Sequence, residues 1–489
     1  MDTAIAAAPT RPVATTEDFA MIAISRRSEP GLHPLRRALL AAILAASPAL
    51  ALASSVTDWN AIASSAPVAP LFGGPPQQAR VNAMVQIAVH DALNSIEPRY
   101  QTYDILPNVA GDANPDAAVA AANHRVLHGL IDPKPASDGK TAALTAIDNA
   151  YAAALAAIPD GNAKTHGIDA GFAAADAILQ RRANDGSATP NLPYSAPVLA
   201  GVYQPTPIMN TTPQQYIAPA NAGWALMLPF VLQSQSQFRI DPGRLFDLAG
   251  AAYARNYNEV QQVGSALVRG AAPDSEESDI ARFWPGGGAN WNRVVREILA
   301  APANNPQLDL DLDLWQQARL FALANIAESD AAIAVFDTKY TYTFWRPVTA
   351  IRWEDDGNAA TTSDPNWWSF MATPPYPDYP CGLTNASGAQ TAVLRRYFGT
   401  DDIAWGFTFD APSVALPAPL SPLPPKSITR GFDSLREALA ESVDARVYGG
   451  MHFREGCARG AMQGTMVGRY VFRNVLRPLP GGLARERRD

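Results

Sequence analysis

The sequence predicts an all-α fold. Long stretches carry apolar residues at three- and four-residue spacing, as in 117–128, 140–157 and 165–183. Alanine, the strongest helix former, is abundant in them, and few stretches show the strict alternation of a half-buried strand. At 489 residues and 47% hydrophobic composition the chain can bury a large core.

In chain order, the first feature is an apolar run, Ala38 to Ala53, behind Arg36-Arg37 and ending in Ala51-Leu52-Ala53. A basic flank, a short apolar core and small residues at the exit describe a secretory signal peptide with a long leader, residues 1–53, cleaved near Ala53–Ser54. Initiation at Met21 would shorten that leader, and Ser25-Arg26-Arg27 is a partial twin-arginine pattern without the usual apolar residues after it. The run is short and broken by Pro48, which argues against a membrane span; a buried alanine-rich helix is the alternative. A secreted or periplasmic protein follows, with a single all-α domain over 54–489. The formal net charge of −8 and the lack of a basic tract argue against nucleic acid as a partner.

His90-Asp91 stands in an apolar helix with Met84, Ile87, Ala88 and Ala92; it reads as a structural pair, with support of a site as the alternative. Ser187 to Pro213 is rich in Pro, Asn, Ser and Thr and reads as a surface crossover. No histidine or carboxylate cluster shows zinc or di-iron spacing. Pro412 to Pro425, with six prolines in fourteen residues, reads as an extended loop that either lines a site or merely connects.

Three later stretches carry the chemistry. Lys339 and Arg346-Pro347 follow a helix over Leu312 to Phe336 that has no Gly or Pro and is apolar almost all round. Seven residues apart, the two cations would share one helix face about two turns apart. Buried cations need an anion, and the local acids Asp330 and Asp337 are candidates. Arg446 and His452 flank Gly449-Gly450, and six residues do not return to one helix face, so they converge only if the helix breaks at the glycines. A new helix would start near His452, with Gly456, Gly460, Gly464 and Gly468 as a close-packing stripe. His452 would lie on that stripe and near the positive end of the helix dipole; a satisfied core histidine is the plain alternative. Between these, Pro374 to Thr384 is a proline-rich turn into a helix starting near Gly382, whose free amides could cradle an anion. The alternative is an ordinary loop.

In order and spacing these pieces resemble the signature of the vanadium-dependent haloperoxidases and the acid phosphatases of the type-2 phosphatidic-acid phosphatase superfamily: Lys-x6-Arg-Pro, then Pro-Ser-Gly-His, then Ser-Arg-x3-Gly-x-His. The first motif is complete as Lys339, Arg346 and Pro347; the third has Arg446, Gly450 and His452, with Ala445 in the serine place. In the second, Pro380 and Gly382 match, but Cys381 replaces the serine and Leu383 the histidine. Ala83 to Pro98, Gly201 to Pro207 and Asn256 to Gly264 resemble the secreted bacterial haloperoxidase-like branch.

The resemblance implies packed helical bundles of the vanadium chloroperoxidase and acid phosphatase type, with the motif-bearing half at about 305–477. It implies a vanadate cofactor, or phosphate as ligand, held by Lys339, Arg346, Cys381, Gly382, Arg446 and His452, with His452 binding the vanadium. His452 and Lys339 would be the catalytic residues, and hydrogen peroxide and halide the small-molecule substrates. The alternatives are a phosphatase that attacks a phosphoester with His452 and a non-catalytic oxyanion-binding scaffold. Leu383 occupies the family's acid/base position and cannot move a proton; a water, Asp378 or His90 could take that part. Cys381 and Cys457, the only cysteines, each border a motif, so an oxidising compartment could pair them as a disulfide; two separate buried thiols are the alternative. The oligomeric state stays open, a homodimer among the options.

Overall fold

A stretch of 29 residues without glycine or proline, apolar on every side, is stable in water only as a helix surrounded by others. That helix organises the molecule. The computed structural model describes residues 54–106, 109, 111–191, 193–285 and 290–480; the expected signal peptide over 1–53 lies outside the described residues.

An N-terminal group comprises α1 (Ser55–Ala63), α2 (Pro75–Ile96), α3 (Pro115–Ile131), α4 (Asp138–Ala156) and α5 (Asn162–Arg181). The crossover follows, with a short ribbon of β1 (Thr206–Pro207) and β2 (Tyr216–Ile217). Next come α6 (Ala251–Val263), α7 (Ala266–Ala271), α8 (Glu276–Phe283), α9 (Trp291–Ala300) and the long α10 (Leu314–Tyr342). The last group is α11 (Pro347–Arg352), α12 (Gly382–Phe398), strands β3 (Trp405–Ala411) and β4 (Lys426–Phe432), α13 (Leu435–Tyr448) and α14 (Arg454–Asn474). Among the described residues the protein is therefore all-α, with sheet structure confined to two two-stranded ribbons.

Helix α10 packs against α2 of the first group and against α12 and α14 of the last. Asp313 and Gln316 start it with a reciprocal capping box, and the indole of Trp315 donates to the Leu93 carbonyl at the end of α2. Small residues set the closest approaches. In α5 a Cβ on Gly171 would stand 2.4 Å from the Ala118 carbonyl oxygen of α3. In α14 a Cβ on Gly460 would lie 2.4 Å from the Cys381 oxygen, and on Gly464 1.8 Å from the Asn385 oxygen. The glycine stripe thus presses the backbone of α14 onto that of α12.

Two of the expected connections carry pairing of their own. The Pro412–Pro425 segment joins β3 to β4, an antiparallel hairpin pairing Trp405 with Phe432 and Ala411 with Lys426. A Val414–Leu423 bridge extends the ribbon, and Val414, Leu416 and Leu423 pack with Ala266 of α7 and Ala281 of α8. The alternation of Trp405, Phe407 and Phe409 signalled this strand, but each strand is seven residues long and the prolines dominated the pattern. The Ser187–Pro213 crossover is tied down: Tyr203 donates its amide to the Thr343 carbonyl at 2.8 Å, and Trp345 donates to the Gly201 carbonyl at 3.1 Å. Among the described residues no helix is long and apolar enough to cross a membrane.

Two glycine-to-alanine changes should move stability in opposite directions. Gly464→Ala has no room for its methyl group and is expected to lower stability by roughly 2–3 kcal/mol. Gly139→Ala, inside α4 and 3.6 Å from its nearest neighbour, is expected to raise it by about 0.5 kcal/mol. Thermal unfolding of both variants checks the pair.

Candidate oxyanion site

The first cation pair forms where α10 stops. Thr343 takes a left-handed conformation (φ 49°) and ends the helix; Arg346 is extended and caps α11. Pro347 imposes this, because a residue before proline avoids the helical region. Lys339 and Arg346 therefore do not share a helix face, as their spacing predicted; the chain turns between them, held by Gly201 and Tyr203. Neither local acid serves them. Asp330 accepts from the amides of Phe230, Val231 and Leu232 at 2.6, 2.8 and 3.0 Å, and burial, opposed by those amides, pushes its carboxyl up to about 6. Asp337 pairs with Arg239 at 2.6 Å.

Both cations instead grip the proline-rich turn. Lys339 Nζ donates to the carbonyls of Pro377 at 2.7 Å and Asp378 at 2.9 Å. Arg346 Nε donates to the Tyr376 carbonyl at 2.7 Å, and Nη1 to the Met451 carbonyl at 2.9 Å. The Tyr376 ring lies 5.2 Å from the ammonium and 5.0 Å from the guanidinium carbon.

The third motif enters through a break. Helix α13 stops at Tyr448, and Gly450 turns the chain with φ +73°. A Cβ there would stand 2.2 Å from the Gly264 oxygen, so glycine is required on both counts. Helix α14 begins at Arg454, its Glu455 amide capped by the Asn256 side chain at 2.8 Å. His452 consequently stands in the connection, just ahead of the glycine stripe rather than on it. Its Nδ1 lies 2.8 Å from Asp378 Oδ1, and its Nε2 lies 2.8 Å from Arg346 Nη1. A guanidinium can only donate, so Nε2 carries the lone pair and the ring proton sits on Nδ1, on the side of Asp378. The Asp378 contact is a close approach rather than an aligned hydrogen bond, since neither carboxylate oxygen has a partner of good geometry.

Lys339 and Arg346 are fully buried, His452 is 1% exposed and Arg446 6%. Asp378, also fully buried, is the acid paired with this cluster, 3.9 Å from Arg346 Nη1. Arg446 makes no ion pair among the described residues, and its Nε, like Arg346 Nη2, is buried without a hydrogen-bond partner. Burial, and then the neighbouring Arg346 charge, push the Lys339 ammonium well below its usual range. The cluster leaves these two guanidinium nitrogens without acceptors.

Helix α12 starts beside it. Cys381 caps α12 without a side-chain bond to it. The amides of Gly382, Leu383 and Thr384 have no acceptor one turn back, and a Cβ on Gly382 would meet nothing within 4 Å. Gly382 is thus an open position at the start of α12, and the half-buried Leu383 beside it packs against the main core. Cys381 and Cys457, the pair expected either as a disulfide or as separate thiols, stand here as unbonded thiols. They are neighbours nonetheless, with sulfurs and a ring nitrogen of His452 all within 4.8 Å of one another. Burial opposes ionisation of Cys381, but the Cys457 hydrogen bond, His452 and Arg446 outweigh it and draw that thiol well below its usual range. Burial and the Cys381 neighbour push Cys457 up. His90 lies elsewhere, 2.9 Å from Asp91, whose carboxylate accepts the amides of Tyr103 and Asp104. Sequence reasoning brought Asp378 in only as a stand-in acid; its place against His452 had no signal beyond its position in the proline-rich turn just ahead of the second motif. A cleft of about 450 Å³ lined by Asn94, Tyr100 and Leu476 includes none of these residues.

A family model described as the VCPO second helical-bundle domain matches residues 319–481, which contain all three motifs. A vanadium chloroperoxidase from Curvularia inaequalis is 27% identical over 467 residues, covering 78% of this chain and 74% of its own. Residues 319–481 thus match this helical-bundle family, and the chain is similar to a vanadium chloroperoxidase over most of its length. Solved structures share the fold of this chain. A bacterial vanadium-dependent iodoperoxidase matches with TM-score 0.63 and 23% identity, over 86% of this chain and 95% of its own. A bacterial vanadium-dependent chloroperoxidase in its apo form matches with TM-score 0.62 and 19% identity, over 81% and 92%.

Asp378 offers a sharp test of the charge balance. Asp378→Asn should lower the melting temperature in anion-free buffer, since it leaves buried cations unpaired. It should also enlarge the rise in melting temperature that phosphate produces, as a competing negative charge has gone. A phosphate-induced rise no larger than the parent's would contradict this balance.

Proposed function

We propose that this chain binds a tetrahedral oxyanion at Lys339, Arg346, Arg446, His452 and the first amides of α12, and acts as a vanadate-dependent haloperoxidase with reduced activity. The observation that carries this reading is the pair of buried guanidinium nitrogens without acceptors, Arg346 Nη2 and Arg446 Nε. Buried donors without acceptors are costly, and an oxyanion would satisfy several at once. The residues suit vanadate: three cations for its oxygens, uncapped amides beside the open position at Gly382, and a histidine whose Nε2 lone pair faces the cations. Bound vanadate would supply the centre that activates hydrogen peroxide for halide oxidation. Lys339, Arg346 and Arg446 would hold and neutralise its oxygens, and Asp378 would keep the proton of His452 on Nδ1. Cys381 would border the anion at the start of α12. Leu383 supplies no proton, so general acid/base help, commonly worth about 10²–10⁴-fold, is missing from its family position.

A second reading is favoured by the Asp378–His452 contact. A histidine oriented by a carboxylate, with its Nε2 lone pair turned to the cations, is also arranged to attack a phosphoester. Leu383 keeps the non-catalytic scaffold as a third. We further propose export by the 1–53 segment and a single domain over 54–489.

A parallel assay of the purified chain, with and without orthovanadate, for peroxide-dependent bromination and phosphoester hydrolysis tests these readings. Vanadate-dependent bromination is the expected result; hydrolysis alone would select the phosphatase, and silence in both the scaffold. Orthovanadate affinity by calorimetry should fall at least about tenfold in Arg346→Ala and in His452→Ala, each of which removes one partner from a buried ionic set. Unchanged affinity in both folded variants would refute the site.

Leu383→His separates binding from catalysis. It should leave vanadate affinity within about threefold of the parent while raising turnover by roughly 10²-fold, the lower end of acid/base assistance. If binding persists and turnover does not rise, the lost histidine is not what limits the protein.

A further inference from the structure

The expectation that no histidine cluster has metal spacing fails on the outer face of the N-terminal group. His124 and His128 are one turn apart on α3, and both aim Nε2 at the same oxygen of Asp148 on α4, at 3.0 and 2.9 Å. The three ligand atoms lie within 4.8 Å of one another. Ligands around a zinc-like ion, bound at about 2.0–2.2 Å, stand roughly 3.0–3.5 Å apart. The rings are 4.3 Å apart, and Tyr151 stacks on His124 at 4.2 Å, so both are held in place. The histidine side chains are about one-fifth exposed and that of Asp148 about half, which leaves the group open to solvent.

The proton inventory favours a cation. Asp132 Oδ2 faces Nδ1 of His128 at 3.3 Å, while Asp148 faces its Nε2. A neutral imidazole has one proton for two carboxylates. With the proton on Nδ1, the Nε2 lone pair meets a carboxylate oxygen head-on, and a metal ion between them removes that conflict. The carboxylate on the far nitrogen then orients the ring, as outer partners of metal-bound histidines commonly do. The site would also tie down a loosely held element: α4 buries only Ala143 and Ile147 fully.

We propose that His124, His128 and Asp148 bind a divalent transition-metal ion of the zinc class that staples α4 to α3, independently of the oxyanion site. Two imidazoles and a carboxylate suit zinc, nickel or copper(II) better than magnesium or calcium. The test is titration of zinc chloride into the purified chain at pH 7.5, without chelator or phosphate, on a His452→Ala background that disables the Cys381–His452–Cys457 group. One bound ion is expected, with affinity falling at least about tenfold in His124→Ala, in His128→Ala and in Asp148→Asn. Amide hydrogen exchange across 138–156 should slow when zinc is added and not in those variants. These side chains are solvent-accessible, so the variants should fold, which circular dichroism verifies. Absence of zinc binding would overturn the proposal, as would equal affinity in all three variants. So would binding that disappears in Cys457→Ser rather than in His128→Ala.

Discussion

The close seam between α12 and α14 is the constraint on which the candidate site depends. Four glycines of α14 face α12 or the turn before it, and three of them would collide with its backbone if they carried a β-carbon. The seam sets where Cys381 starts its helix and where Cys457 and His452 stand relative to it. Gly456 leaves room for the Asp378 carboxylate, whose oxygen would lie 3.0 Å from a β-carbon there. Backbones this near cannot slide without losing contact along their length, so the two helix starts behave as one rigid rim.

On that rim the chain places guanidinium nitrogens that it leaves without acceptors. Lys339 and Arg346 are not idle: their carbonyl bonds shape the turn from Tyr376 to Asp378, a structural part that a neutral donor could also have played. What a purely structural account leaves unexplained is Arg446, together with the unpartnered nitrogen of Arg346. Asp378 matters in both directions. It lowers the cost of the empty arrangement, and it competes with any anion that enters, so affinity here is a difference between two counterions.

The helices around the site were legible because they are long and strongly periodic, and α10 could be read from its lack of glycine and proline. The glycine stripe and the break at Gly449-Gly450 were legible because only a close approach or a left-handed turn explains glycine there. The shared helix face of Lys339 and Arg346 does not form, because Pro347 disfavours a helical conformation at Arg346 whatever the spacing. The β3–β4 hairpin escaped because its strands are short and flank a proline-rich loop. The Cys381–Cys457 proximity followed from the motifs, but their state as thiols did not. His124 and His128 were readable as a pair one turn apart; Asp148 comes from another helix, and only the packing of α4 on α3 brings it to them.

The strap from Gly201 to Tyr203 has a consequence for how the protein divides. It holds the turn between Lys339 and Arg346 in place from far earlier in the chain, and α10 rests one side on α2. The region 319–481, which carries every motif, is therefore not self-sufficient. Separated from the first half, it would lose the clamp on its cation pair and bare a helix with no polar face. The motifs bring the candidate site its charged groups, and segments remote in sequence hold those groups in place.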